Sequence, residues 1–143
     1  MHKHIKPDNA KIKIIGIQDD VDSEPIELYT TGKWLIKNGK DYIFYVDKIL
    51  NSDAETNTRI IFDGLGVSIL RTGGLDTHLI FEKGVRHFIP YETPFGILDM
   101  TSYTEDIFSV RRENSLEIRI IYHLEMDQSN LGRNVFHIII ESL

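Results

Sequence analysis

Alternation is the dominant pattern of this chain. In Leu116-Ile118-Ile120-Tyr122-Leu124-Met126 every second residue is apolar, with Glu117, Arg119, His123 and Glu125 between them. A period of two puts successive side chains on opposite faces of a strand, one buried and one wet. About ten short segments of this kind follow one another, broken at close intervals by Gly, Pro, Asn and Asp. No amphipathic helix of ten or more residues is predicted. The best candidate, Ser102 to Arg112, is interrupted by β-branched and aromatic residues.

The segments predict strands over Lys11–Gln18, Ile26–Ile36, Asp41–Asp47, Thr58–Phe62, Val67–Arg71, Thr77–Phe81, Val85–Tyr91, Ile97–Val110, Leu116–Met126 and Arg133–Glu141. Asn38-Gly39 reads as a two-residue hairpin, because both central residues of a type I′ turn need positive φ. Asp63-Gly64, Gly73-Gly74, Lys83-Gly84, Thr93-Pro94-Phe95-Gly96 and Glu113-Asn114-Ser115 mark further turns. Gly32 suggests a bulge or bend in the second strand, and Thr104-Glu105-Asp106 a bend in the eighth. Strands joined in order by short turns make an up-and-down antiparallel meander. Its two edges are exposed unless it closes. The fold class is therefore all-β, a meander closed into a barrel of about eight to ten strands, with a two-sheet sandwich as the alternative.

Composition narrows the class. The 143 residues read as a single domain, with residues 1–10 a loosely attached N-terminal segment. With 41% hydrophobic and 27% charged residues, the balance is that of an ordinary globular protein. A net charge of −6 disfavours attraction to phosphate backbones, so no nucleic acid partner is expected. No stretch approaches the ~20 apolar residues of a membrane-spanning helix, and the basic start lacks the apolar core of a signal peptide. The expectation is no membrane partner and a cytoplasmic location. There is no cysteine, hence no disulfide or thiolate chemistry. Asp19 to Pro25 reads as a solvated acidic loop lacking a calcium-site spacing, and Arg111-Arg112 as a solvated turn.

Motifs for nucleophilic, metal and phosphate chemistry are absent, and no catalytic residue, metal ligand or cofactor is assigned. His2 and His4 lie in the N-terminal segment. His78, His123 and His137 fall on polar strand faces. His87 differs, since it alternates with Val85, Ile89 and Tyr91, an inward set. Arg71 likewise alternates with Val67 and Ile69, Gln18 continues the Ile12-Ile14-Gly16 face, and Thr30 continues Ile26-Leu28. Gln18, Thr30, Arg71, His87, Tyr91 and Tyr122 are thus the candidate interior polar residues. In one account they line the wet end of a cavity, where Arg71 meets the acidic head of a small apolar ligand. In the other, Arg71 turns out beside Gly73-Gly74 to pair with Asp76 or Glu82, and large side chains such as Trp34, Phe44, Phe62, Phe81 and Phe136 fill the barrel. Outside, Ile61, Ile121 and Ile139 interrupt polar faces. Were they to cluster, they would form an apolar patch suited to a homodimer.

Several strings carry a resemblance: Glu27-Leu28-Tyr29-Thr30-Thr31-Gly32, Tyr42-Ile43-Phe44-Tyr45, Arg71-Thr72-Gly73, Phe81-Glu82-Lys83-Gly84, Tyr91-Glu92-Thr93-Pro94-Phe95-Gly96 and Tyr122-His123-Leu124. Together, over roughly Lys11 to Glu141, they resemble the YwiB-like family of small bacterial proteins. The chain departs from it at Val46-Asp47, where the family often has a pair of glutamates. The resemblance implies a calycin-like (lipocalin-like) β-barrel and no catalytic residues. The resulting expectation is a non-enzymatic barrel that binds a small, partly apolar anionic molecule. The alternative is a filled structural or interaction module acting through its outer surface.

Overall fold

A computed structural model of the chain describes residues 7–19, 24–48, 55–73, 76–93, 95–126 and 129–143. Ten strands follow in order: β1 (Ala10–Gln18), β2 (Ile26–Lys37), β3 (Lys40–Lys48), β4 (Glu55–Phe62), β5 (Val67–Thr72), β6 (Thr77–Phe81), β7 (Arg86–Thr93), β8 (Gly96–Arg112), β9 (Ser115–Met126) and β10 (Ser129–Ser142). They form one antiparallel sheet in the order β6-β5-β4-β3-β2-β1-β10-β9-β8-β7. Every chain-consecutive pair is a neighbour except β6 and β7, and the first and last strands are laced together from Ala10↔Ser142 to Gln18↔Asn134. The sheet curls into a nearly closed barrel whose seam lies between β6 and β7. The turn between them bonds instead to β8, with Gly84 N donating to Thr104 O (2.8 Å) and Thr104 N to Val85 O (3.2 Å).

Local chemistry explains the turns. Asn38 (φ 54°) and Gly39 (φ 75°) take the two left-handed positions of the β2–β3 hairpin. At the β4–β5 turn, Asp63 Oδ1 accepts from Leu65 N (2.9 Å) and Gly66 N (2.6 Å). These bonds hold the Asp63 carboxyl below its ordinary pKa. Gly74 and Pro94 lie outside the described residues. The predicted bend in β8 is a register shift between Thr104 and Asp106, so Ser102–Arg112 runs as strand throughout.

Gly32 marks a different event. β2 pairs with β1 through Gly32 and with β3 from Lys33 onward. A Cβ at Gly32 would collide with the Phe44 carbonyl oxygen and Ile12 Cδ1. Only the missing side chain lets the strand pass this close to β3 while changing partner.

The core follows from register. Inward rows run Ile43–Ile60–Ile69–Leu79 on one wall and Ile12–Ile140–Leu116 and Ile14–Ile138–Ile118 on the other. Most of these are fully buried. One end of the barrel is closed by Asp41, which is 2% exposed. Arg111 Nη2 and Nη1 donate to its two carboxylate oxygens (2.6 and 3.2 Å), and Trp34 Nε1 donates to Oδ2 (2.9 Å). Arg111 is therefore not the guanidinium of a solvated turn. It projects back from the end of β8 to neutralise a buried carboxylate on β3.

The attached part of the chain also begins earlier than its sequence suggests. Asp8 accepts from Thr31 Oγ1 (2.7 Å), Asn9 N donates to Gly32 O (2.9 Å), and Ala10 is wholly buried. His2 and His4 fall outside the described residues.

Candidate functional site

The apolar rows give way to polar ones toward the opposite end. On one wall the next inward row reads Tyr45–Thr58–Arg71–Thr77 across β3 to β6. On the facing wall, beyond the row Gly16–Phe136–Ile120–Ile107, comes Gln18–Asn134–Tyr122–Thr104 across β1, β10, β9 and β8. Each strand places its residue by simple alternation, and the ladders bring the eight into a belt. Six of the eight, all but Thr77 and Thr104, border a cavity of ≈510 Å³, with Ile14, Leu28, Ile69, Leu79, Phe81 and Phe136 among its apolar lining. That volume falls within the range of small-molecule sites.

Arg71 is the cationic group of this cavity. Among the described residues no carboxylate comes within ion-pair distance of it. Asp76 instead accepts from Gly73 N (3.0 Å), and Glu82 faces His87. Arg71 stands beside two phenols. Burial raises the pKa of Tyr45, opposed by the Arg71 charge and by Thr58, and burial raises that of Tyr122, again opposed by Arg71. Both phenols stay protonated across the neutral range, so the half-buried guanidinium gains neutral hydrogen-bonding neighbours rather than a counter-ion. Glu24 and Asp47 stand on the cavity wall but do not pair with it.

Of the six residues singled out in the sequence, Gln18, Arg71 and Tyr122 line this cavity. Gln18 sits at the rim, its Nε2 donating to Leu131 O (3.1 Å). Thr30 lies elsewhere, in a cleft left where β2 parts from β3, its Oγ1 donating to Thr31 O (3.3 Å). His87 sits opposite Ser102 on the face that also carries the buried Ile89, with Nε2 3.2 Å from Glu82 Oε1. The sequence offers no strand-borne acid beside His87. The β6–β7 turn supplies one by folding Glu82 back. Tyr91 pairs with Leu98 of β8 along β7, and its side chain lies outside the described residues.

Tyr45, Thr58, Thr77, Thr104 and Asn134 were not singled out in the sequence. Their alternation was readable. Their convergence depends on register, which no local signal carries.

A second hollow, of ≈810 Å³, runs along the outer seam past the exposed Leu65. Of its charges, Lys83 Nζ is engaged with Asp106 (3.4 Å), Asp63 with its own turn and Glu82 with His87. The outer isoleucines do not form the exposed patch that clustering would have given. Ile121 is 8% exposed, and Ile61 and Ile139 are half-buried. Nearby, Arg133 pairs with Asp19 and with Glu105 (3.4 Å), and His123 Nε2 lies 3.2 Å from the same glutamate.

The sequence profile of a domain of unknown function, DUF1934, matches residues 11–138, nearly the whole barrel. The chain belongs to the DUF1934 family. Within reach of this family match, the chain is 28% identical over 117 residues to the uncharacterized β-barrel protein YwiB of Bacillus subtilis, covering 80% of this chain and 81% of that one. The crystal structure of the ywiB protein from Bacillus subtilis superposes with a TM-score of 0.80 at 23% identity, over 95% of this chain and 92% of the other. The DUF1934 barrel is thus a shared architecture. The family's description assigns it no activity, so the chemistry of the polar belt has to speak for itself.

Proposed function

We propose that this barrel binds a small, partly apolar anion, with Arg71 receiving the anionic head and the aliphatic and aromatic wall receiving the tail. One observation carries the reading: an inward arginine on the wall of a ≈510 Å³ cavity, with no carboxylate partner among the described residues. A guanidinium drawn into a protein without an anion is costly, and one aimed into a cavity is available to an incoming acid. The calycin-like barrel that the family resemblance implies would suit such a ligand. The apolar wall supplies transfer free energy, and Arg71 supplies orientation.

Isothermal titration of decanoate and of 1-decanol into wild type and Arg71→Gln tests this. A charge-assisted hydrogen bond is worth about 1.5–3 kcal/mol, or roughly 10–100-fold in affinity. Decanoate should bind wild type and weaken by that factor in Arg71→Gln, while 1-decanol should be indifferent to the change. Equal decanoate affinity in the two proteins, both shown to be folded by circular dichroism, would remove Arg71 from the site.

A further inference from the structure

The charges on the cavity wall follow an order set by register. On the β3–β6 side the row Ile43–Ile60–Ile69–Leu79 lies deeper, Tyr45–Thr58–Arg71–Thr77 comes next, and Asp47–Thr56 follows toward the open end. Exposure rises in the same order. Ile43, Ile60 and Ile69 are buried, Tyr45 and Thr58 nearly so, and Asp47 is exposed. Successive inward residues of a strand stand about 7 Å apart, so the Asp47 level is one such step nearer the mouth than the Arg71 level. Glu24, just before β2, adds a second carboxylate to the same wall beside Ile26. Neither Glu24 nor Asp47 forms an ion pair among the described residues. The Tyr45 phenol senses both signs of charge. Burial is the main cause of its raised pKa, Arg71 opposes the rise and Asp47 adds to it.

We infer that the ligand has a zwitterionic head and is an aliphatic α-amino acid, with its carboxylate on Arg71 and its ammonium group turned to Asp47 and Glu24 at the mouth. This rests on the anion-binding reading of Arg71 and deepens it. All three charged residues border the one cavity, so a single molecule inside it meets them together. Their order selects the class. From the apolar rows outward a ligand finds first a wall for its tail, then a cation, then anions. The ammonium group therefore belongs next to the carboxylate and not at the far end of the chain. The tail lies against Ile69, Leu79, Phe81 and Phe136. A plain monocarboxylate reaches Arg71 only by passing two carboxylates, on a protein of net charge −6. An α-ammonium group offsets that repulsion and gives both carboxylates a charge-assisted partner. A phosphate monoester, with more negative charge, makes the repulsion worse.

The charge order is read by isothermal titration of octanoate, 2-aminooctanoate and 8-aminooctanoate. Into wild type, 2-aminooctanoate should bind about fivefold tighter than octanoate, the scale of an ion pair at an open mouth. The isomer 8-aminooctanoate should bind at least about tenfold more weakly than octanoate, because its ammonium group would enter the apolar rows. In the double variant Glu24→Gln with Asp47→Asn the first two ligands should move in opposite directions, 2-aminooctanoate weaker and octanoate tighter. If 2-aminooctanoate is no tighter than octanoate while Arg71→Gln still weakens octanoate, the zwitterionic head is overturned and the anion site stands. A fivefold preference that survives the double variant overturns the assignment to Glu24 and Asp47. Equal affinity for the two amino acids overturns the order of charges. If none of the three binds wild type, the anion-binding reading falls and the zwitterion with it. The wild-type ranking decides alone if the double variant fails to fold.

Discussion

Asp41 shows how much rests on one side chain. Its carboxylate is almost wholly buried and is held by two guanidinium nitrogens of Arg111 and the indole N–H of Trp34. Removing one partner of a buried pair leaves a charge without compensation, typically at 3–5 kcal/mol. The Arg111 side chain is 46% exposed, which softens its share. Arg111→Ala is therefore expected to destabilise the fold by about 3 kcal/mol in urea unfolding, and Arg112→Ala, which lies 4.0 Å from Glu117 at the surface, by under about 1 kcal/mol. Equal effects of the two would show that Asp41 is not held as described. The contrast also marks what a sequence reveals at this scale. The inward aim of Arg71 and His87 is legible because strand side chains alternate strictly. The role of Arg111 is not, because its partner stands 70 residues away. Glu82 escapes notice beside His87 for a related reason: it leaves the alternating pattern at a turn, where a period of two no longer says which way a side chain points.

At the scale of elements, β2 is the hinge of the architecture. Its first half belongs to the β1 side of the barrel and its second half to the β3 side, and Gly32 is where the change occurs. Gly32→Ala forces a methyl group into the Phe44 carbonyl and should cost about 1–3 kcal/mol, the range for overpacking. Thermal unfolding reads this directly, and a melting temperature within 1 °C of wild type would mean the crossing can relax. The ten strands and the bend of β8 were readable, since Gly, Asn, Asp and Pro punctuate the chain wherever hydrogen-bonded ladders must end. The lateral pairing was less so. Periodicity says which face is wet but not which residue lies opposite which, so the polar belt emerges only when eight alternations are set in register.

For the whole molecule, the seam lies between β6 and β7, away from the β1–β10 pairing that joins the first strand to the last. Leu143 N donates to Asn9 O (2.9 Å), so the segment before β1 and the one after β10 meet within one continuous ladder, while β6 and β7, adjacent in sequence, flank the gap. A circular permutant in which a short Gly/Ser linker joins Leu143 to Asn9, and the chain is opened between Lys83 and Gly84, should fold with the wild-type circular dichroism spectrum. An unfolded permutant would show that the covalent 82–85 turn, rather than the ladders, holds the barrel shut.

The β1–β10 ladder bears on how the protein is made. β1 leaves the ribosome first and its partner last, so at ~5–20 residues per second one edge of β1 waits roughly 7–30 s for β10. Throughout that interval Ile12 and Ile14 sit on a strand whose unpaired backbone could recruit a neighbouring nascent chain. Lys11 and Lys13 alternate with them along the same edge. In the finished barrel these two lysines are outer-face residues, Lys13 lying over the Tyr29 ring. On the half-made protein they put positive charge along the open edge, the general device by which edge strands discourage pairing with a wrong partner.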